Sequence, residues 1–352
     1  MSQFLNAKYQ NLTAYVPGEQ PQDQKYIKLN TNESPYSPSQ RVIEAINKNA
    51  VERLRLYGDP ECKVLREKLA ALYGVGAENV YTSNGSDDIL NFAFMCFGAK
   101  GAVFNDITYG FYQVFADLHG IEATIIPLEE DFSIDYKKYL NLNKFIVIAN
   151  PNAPTGLALS LGEIEEIAKA NPQSVVLIDE AYVDFGAESA VELTKKYNNL
   201  LVSMTFSKSR SLAGARLGFC IGSEELIKDL NLIKYSTNPY NVNSLTQLAG
   251  IAAVEDNAVY MANCAKISQT RDYVIQQLRK LGFEVTDSKT NFIFAKTKAM
   301  SGEKIYQELK KRGVLVRHLS GERIKEYNRI TIGTPEEMEI FLEKIREIIE
   351  VK

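Results

Sequence analysis

The sequence predicts an α/β fold, with a large domain built on a mostly parallel central sheet flanked by helices and a smaller α+β C-terminal domain. Three observations predict it. From about residue 39, over some 200 residues, helical patterns alternate with short β-rich apolar runs, the order that parallel strands and crossover helices impose. From about residue 225 the pattern becomes one long helical stretch followed by a mixture of strands and helices. The length, 352 residues, suits two domains rather than one. The boundaries read as an N-terminal arm over 1–38, a large domain over 39–250 and a small C-terminal domain over 251–352.

The arm is polar and turn-rich and ends in LNTNESPYSP, where Pro35 and Pro38 break any helix. Tyr9, Tyr15 and Tyr26 would be costly to leave in water, so the arm is expected to pack on something. SQRVIEAINKNAVERL reads as one helix, and ECKVLREKLAALY as another that Gly74 stops. NVYTSN is a strand, SDDILNFAFMCF a helix, AVFND a strand, TYGFYQVFADLH a helix and EATIIPL a strand. FIVIAN is a strand that enters the turn PNAPTG before the helix SLGEIEEIAKAN. SVVLIDEAY, LLVSMTFS and RLGFCIG complete the large sheet. From about residue 225 a helical stretch runs through the turn-like STNPYNVN to RDYVIQQLRKLG. FEVTDS, TNFIFAK, VLVRHL and RITIGT are strands of the small domain, with helices at GEKIYQELKKRG and from Pro335.

Composition excludes several functions. With 44 acidic and 40 basic residues the net charge is −4, which argues against a general nucleic-acid or membrane-surface binder. His119 and His318 are the only two histidines, too few for a His-rich metal site, and no metal is expected. Cys62, Cys96, Cys220 and Cys264 show no C-x-x-C spacing and suit a reducing cytoplasm. The N-terminus has no apolar stretch that would act as a signal peptide, and no run reaches the ~18 residues of a membrane span.

Ligands of an open α/β sheet sit at the carboxyl ends of its strands, so the polar residues just after each apolar run are the site candidates. No G-x-G-x-x-G follows a strand and no G-x-x-x-x-G-K-[ST] occurs, which removes the main support for simple nucleotide binding. Lys208 follows the apolar strand LLVSMTF. Burial there lowers an amine's pKa and lets it attack an aldehyde; taken alone, it is also an ordinary loop lysine. Asp179 ends VVLID and suits a charge-assisted bond to a ring N–H⁺, or equally a helix cap. Tyr182 lies one turn on. Gly85 and Ser86 begin a helix, where backbone N–H groups favour an anion, and Ser207 and Arg216 offer a hydroxyl and a guanidinium. Tyr109 follows AVFND and can stack on a flat ring or pack in the core.

Taken together and in order, NPNAPTG, VVLIDEAY and TFSKSRSLAGARLGF resemble the fold-type-I pyridoxal-phosphate-dependent aminotransferases, and among them the histidinol-phosphate aminotransferase family. The resemblance runs from LNTNESPYSP to RITIGT. It implies an enzyme of histidine biosynthesis that uses pyridoxal 5'-phosphate and exchanges the amino group of histidinol phosphate with 2-oxoglutarate. By resemblance, Lys208 carries the cofactor covalently and moves the proton, Asp179 pairs with its ring nitrogen, Tyr182 bonds its phenolic oxygen and Tyr109 lies over its ring. Gly85, Ser86, Thr205, Ser207 and Arg216 hold its phosphate; Asp87 lies nearby and could join them only through its backbone. Tyr57 matches a position that reaches across a homodimer to the partner's cofactor phosphate. Arg329 matches the arginine that takes the substrate carboxylate, and Asn32, Tyr15 and Asn291 match the substrate pocket.

One departure stands out. The resemblance expects an asparagine immediately before P-T-G, donating to the cofactor's phenolic oxygen, and this chain has Ala153. Asn150 or Asn152 substitutes, or Tyr182 carries the contact alone. Aromatic amino-acid aminotransferases and phosphorylated-threonine decarboxylases share the scaffold and remain alternatives. A non-catalytic binding module is a third reading, against which the presence of Lys208, Asp179 and Arg216 counts.

Overall fold

The computed structural model describes residues 2–350. The chain opens on an extended arm that ends in a two-residue strand, β1 (Ile27–Lys28). Two short helices follow, α1 (Gln40–Ala45) and α2 (Lys48–Glu52), where the sequence predicts one. Asn47 is the reason. Ile46 leaves the helical region at ψ 62°, and the Asn47 side chain accepts the Ala50 N–H at 3.1 Å, capping a new start. Helix α3 (Lys63–Tyr73) then stops at Gly74, which takes the left-handed conformation that closes a helix.

The predicted alternation comes next: β2 (Val80–Ser83), α4 (Ser86–Phe97), β3 (Ala102–Asn105), α5 (Phe111–His119), β4 (Ala123–Ile126), β5 (Phe145–Ala149), α6 (Leu161–Ala170), β6 (Val176–Asp179), α7 (Val191–Thr194), β7 (Leu200–Thr205) and β8 (Gly218–Ile221). Helix α5 starts later than its sequence pattern suggests, which leaves Thr108, Tyr109 and Gly110 in the turn after β3. The strands form one seven-stranded sheet in the order β2-β8-β7-β6-β5-β3-β4, and only β8 runs against the others. Successive residues of the central strands enter opposite cores. Val103, Ile146, Ile148, Ile178 and Val202 pack with Leu65 and Leu69 of α3 and Ile164 and Ile167 of α6. Phe104, Phe145, Val147, Leu177 and Leu201 pack with Leu90 and Phe94 of α4 and Phe115 of α5. Helices therefore cover both faces, and polar groups of the central strands reach solvent only at strand ends.

Helices α8 (Glu224–Thr237), α9 (Ser244–Glu255) and α10 (Asn257–Lys280) lead to a second layer. It contains β9 (Phe283–Val285), β10 (Phe292–Thr297), α11 (Gly302–Lys311), β11 (Val314–Leu315), β12 (Arg317–His318), β13 (Asn328–Thr331) and α12 (Pro335–Glu350). The segment VLVRHL, predicted as one strand, divides between two sheets. β11 pairs in parallel with β1, whereas β12 joins the antiparallel sheet β12-β13-β10-β9. The arm is thus tied to the C-terminal layer, and Leu29 sits in its core beside Val314, Val316 and Ile332. Among the described residues no helix is long and apolar enough to cross a membrane, and no cluster of metal-ligating side chains occurs.

Arg271 of α10 connects the layers. It is buried, and its Nη1 donates to the Phe185 carbonyl at 2.8 Å and to the Thr290 carbonyl at 2.9 Å. Phe185 follows β6 and Thr290 precedes β10. Replacing Arg271 with Met leaves the Thr290 carbonyl without its donor and the Phe185 carbonyl with Ser268 Oγ alone, at 2.9 Å, and is expected to lower unfolding free energy by roughly 1–3 kcal/mol. Urea unfolding followed by tyrosine fluorescence checks this; an unmoved midpoint contradicts it.

Candidate active site

A cavity of about 610 Å³ opens at the carboxyl ends of the parallel strands, between the large sheet, the arm and the C-terminal layer. Its floor is set by Asp179, the last residue of β6. The Tyr112 hydroxyl donates to Asp179 Oδ2 at 2.8 Å, while Oδ1 is buried and has no hydrogen-bond partner among the described residues. Burial pushes this carboxyl up to about 6, against the Tyr112 bond that lowers it. A carboxylate left half-satisfied in this way is completed by a cationic N–H. Glu180, next in the chain, faces elsewhere. It accepts from Ser189 Oγ and from the Ala190 N–H, both at 2.6 Å, and so closes the loop that carries Tyr182.

Lys208 enters from the loop after β7. Its amine donates to the Thr31 carbonyl at 3.1 Å and lies 5.9 Å from the centre of the Tyr182 ring. Loss of hydration, and then the nearby Arg329 charge, lower its pKa to about 8. A substantial neutral fraction, able to act as a nucleophile, is present near that pH. Behind it, buried Arg210 bonds Asp184 at 3.2 Å and Asn257 at 2.8 Å, which braces the lysine loop against the turn that follows Tyr182.

At one end of the cavity the start of α4 meets β8. Gly85 has φ +85°, and a Cβ there would lie 2.7 Å from Arg216 Nη2. A Cβ on Gly218 would lie 2.5 Å from the Ser86 nitrogen. Two glycines therefore let a helix N-terminus, a strand and a guanidinium converge, which is an arrangement for an anion. Ser207 and Thr205 line the same end. Arg216 Nη2 is held by Asp87 Oδ2 at 2.9 Å, and Asp87 Oδ1 accepts from the Tyr109 hydroxyl at 2.8 Å. Asp87 thus fixes the arginine and the aromatic ring through its side chain, leaving only its backbone for an anion.

The other end is basic as well. Arg329 Nη2 donates to the Asn30 carbonyl at 3.0 Å, and its buried Nε has no partner among the described residues. Arg317 holds the arm, donating to the Val16 carbonyl at 3.0 Å and the Pro17 carbonyl at 3.1 Å. Tyr15 stacks on Phe111 at 4.3 Å and lines the mouth.

A family model described as "Aminotransferase class I and II" matches residues 24–345. The chain belongs to this family. A relative from Brachyspira hyodysenteriae named histidinol-phosphate aminotransferase is 51% identical over 99% of each chain. Two solved structures share the fold. Histidinol-phosphate aminotransferase from Sinorhizobium meliloti, in complex with pyridoxal-5'-phosphate, has a TM-score of 0.85 at 23% identity, covering 93% of this chain and 92% of that one. L-threonine-O-3-phosphate decarboxylase from Porphyromonas gingivalis has a TM-score of 0.80 at 22% identity, covering 92% and 99%.

Of the residues singled out in this aminotransferase's sequence, Tyr15, Asn32, Ser86, Asp87, Tyr109, Asp179, Tyr182, Thr205, Ser207, Lys208, Arg216 and Arg329 line the cavity, with Gly85 directly behind Arg216. Asn152 does not, which corrects its assignment as a cofactor ligand. Its Nδ2 donates to the Ile107 carbonyl at 2.9 Å and Thr155 Oγ1 at 3.1 Å, and its Oδ1 accepts from Thr108 Oγ1 at 2.9 Å, so the whole amide shapes the turn. Asn150 is occupied likewise, accepting the Leu159 N–H at 2.7 Å. Pro151, Ala153 and Pro154 are the residues of this turn that line the cavity, and none brings a side-chain donor. Asn291 lies behind the wall and supports the Asn32 carbonyl at 2.9 Å. Tyr57 is 84% exposed, stacked on Tyr240 and outside this cavity. Tyr112, Arg317 and the Thr31 carbonyl were not singled out. Arg317 carried the same signal as the others, a polar residue just after an apolar run; Tyr112 reads as helix packing.

Asp179 also gives the cofactor-free protein a pH signature. Burial holds its folded pKa at about 6, above the 3.8 of an ordinary aspartate, so the folded state keeps the proton longer and this contribution to stability is lost as pH rises from about 4 through 6. Asp179→Asn is expected to make the cofactor-free protein more stable at pH 8, by an amount of order 3 kcal/mol at most, and to flatten that part of the profile. Melting temperatures between pH 5 and pH 8 test this; a less stable variant at pH 8 refutes it.

Proposed function

We propose that the chain is a pyridoxal-phosphate-dependent aminotransferase that exchanges the amino group of histidinol phosphate with 2-oxoglutarate, giving imidazole-acetol phosphate and L-glutamate. The observation that carries the reading is one cavity lined together by Lys208, by Asp179, whose buried Oδ1 has no hydrogen-bond partner among the described residues, and by Ser86 and Arg216 at the start of α4. These groups fit the cofactor: the orphaned carboxylate oxygen suits a protonated ring nitrogen, and the two-glycine cradle suits a phosphate. The full-length relative at 51% identity supports the substrate.

When bound, pyridoxal phosphate supplies an aldehyde carbon and a ring that takes up electron density released at the substrate Cα. The residues do the rest. Asp179 Oδ1 holds the proton on the ring nitrogen, and Tyr112 keeps that carboxylate aimed. Lys208 would provide the amine that holds the cofactor and, when free, would take the proton from the substrate Cα and deliver it to the former aldehyde carbon on the other side of the nitrogen that joins the two. The Thr31 carbonyl holds that amine close. Tyr182 donates to the phenolic oxygen, and Tyr109 flanks the ring. Backbone N–H groups of Gly85 and Ser86, with Ser207 and Arg216, hold the phosphate.

The far end recognises the substrate. The free Nε of Arg329 offers a donor to the carboxylate of glutamate or 2-oxoglutarate. Arg317 stands beside it and suits the phosphate of histidinol phosphate. The arm pinned by Arg317, with Tyr15, excludes water. Exposed Tyr57, near exposed Leu54 and Leu56, supports a homodimer in which this face meets a second copy. Four free thiols support a cytoplasmic setting.

The purified protein is expected to be yellow, to be labelled at Lys208 by borohydride, and to lose its visible band on addition of histidinol phosphate. Lys208→Ala is expected to reduce turnover by about 10³-fold or more. A colourless protein that takes up no pyridoxal phosphate ends the proposal, and carbon dioxide release without an oxo acid would make it a decarboxylase. Arg317→Ala is expected to raise KM for histidinol phosphate about tenfold or more, with a smaller change in kcat. Steady-state kinetics at saturating 2-oxoglutarate decide this, and an unchanged KM places the phosphate elsewhere.

A further inference from the structure

Asn32 is fully buried at the end of the arm and lies between the C-terminal layer and Tyr182. Its contacts fix which way its amide points. The Asn32 N–H donates to Thr331 Oγ1 at 2.9 Å, so that hydroxyl uses its own hydrogen toward Asn32 Oδ1, 3.1 Å away. Nδ2 must then face Tyr182, and it donates to the Tyr182 oxygen at 2.9 Å. The backbone is held too, with φ +57° in the left-handed region and the carbonyl accepting from Asn291 Nδ2 at 2.9 Å.

A phenol oxygen that accepts on one side turns its hydrogen to the other. Tyr182 lines the cavity, and the described residues offer its hydroxyl no acceptor. A donor on that oxygen also polarises the O–H bond and makes it a stronger donor. The Asn32 bond works against the burial that raises the Tyr182 pKa. On the opposite wall Ala153 supplies no donor, and Asn150 and Asn152 are spent on the turn.

We propose that Asn32 is a positioning residue: it aims the Tyr182 hydroxyl hydrogen into the cavity and strengthens it, in place of the donor that Ala153 lacks. This rests on the pyridoxal phosphate reading above. The same left-handed turn presents the adjacent Thr31 carbonyl to Lys208, so one residue sets two contacts at the reacting end.

The test is a spectrophotometric pH titration of the visible band of the holoenzyme. A hydrogen donated to the cofactor's phenolic oxygen stabilises negative charge there and lowers the pH at which the nitrogen joined to Lys208 loses its proton. Weakening that donor raises the midpoint. Asn32→Gly tolerates the left-handed backbone and keeps both main-chain bonds; its midpoint is expected to rise by about 0.5–1 pH unit. Tyr182→Phe is expected to raise it at least as far. In the Tyr182→Phe background Asn32→Gly should add less than about 0.2 unit, because its effect passes through the hydroxyl. If Asn32→Gly does not fold, Asn32→Asp is read in the same cycle through the part of its shift that Tyr182→Phe abolishes. An unmoved midpoint, or full additivity with Tyr182→Phe, overturns the role of Asn32. Absence of any visible band would instead overturn the cofactor reading.

Discussion

The structure depends on a buried carboxylate with one oxygen left over. Asp179 stands at the end of a strand covered on both faces, where hydration is lost and ionisation is costly. Tyr112 satisfies one oxygen, the Ala181 backbone also favours the charge, and among the described residues Oδ1 has no hydrogen-bond partner. Such a group is tolerated where a ligand completes it, and the surrounding residues are arranged around that vacancy in bonding. Lys208 faces the same space, Arg216 closes one end and Arg329 the other. The parallel strands deliver Asp179 and the loop of Lys208 to one edge, the antiparallel β8 starts from that edge just after Arg216, and the C-terminal sheet brings Arg329 over it.

That edge is also why much of the site was legible in the sequence. Lys208, Asp179 and Ser207 each follow an apolar run long enough to be a buried strand, so their type and place could be read together. Gly85 and Ser86 were legible as a helix start. Asn152 misled because a side chain next to a cofactor loop is also next to that loop's own backbone groups, which claim it first. The helix predicted over residues 39–54 failed for a similar reason: Asn47 prefers capping to propagation. Arg317 follows an apolar run as the others do, but its run splits between two sheets, so local pattern does not reveal that it faces this cavity.

The arm joins the two halves of the site. It pairs with β11, is gripped by Arg317 and Arg329, and hands a carbonyl to Lys208 and an amide to Tyr182. Residues far apart in sequence, such as Asn32 and Thr331, meet there only after both layers have formed. The lysine's surroundings are therefore set by long-range contacts rather than by the lysine loop itself.

The contact between Gly85 and Gly218 has a practical corollary for protein engineering. With 2.5 Å available for any added carbon, the anion end of the cavity has no slack on its strand side. Reshaping the enzyme toward a bulkier or uncharged coenzyme analogue would have to begin at Ser207 or Arg216, leaving both glycines in place as the hinge-free corner on which the rest is built.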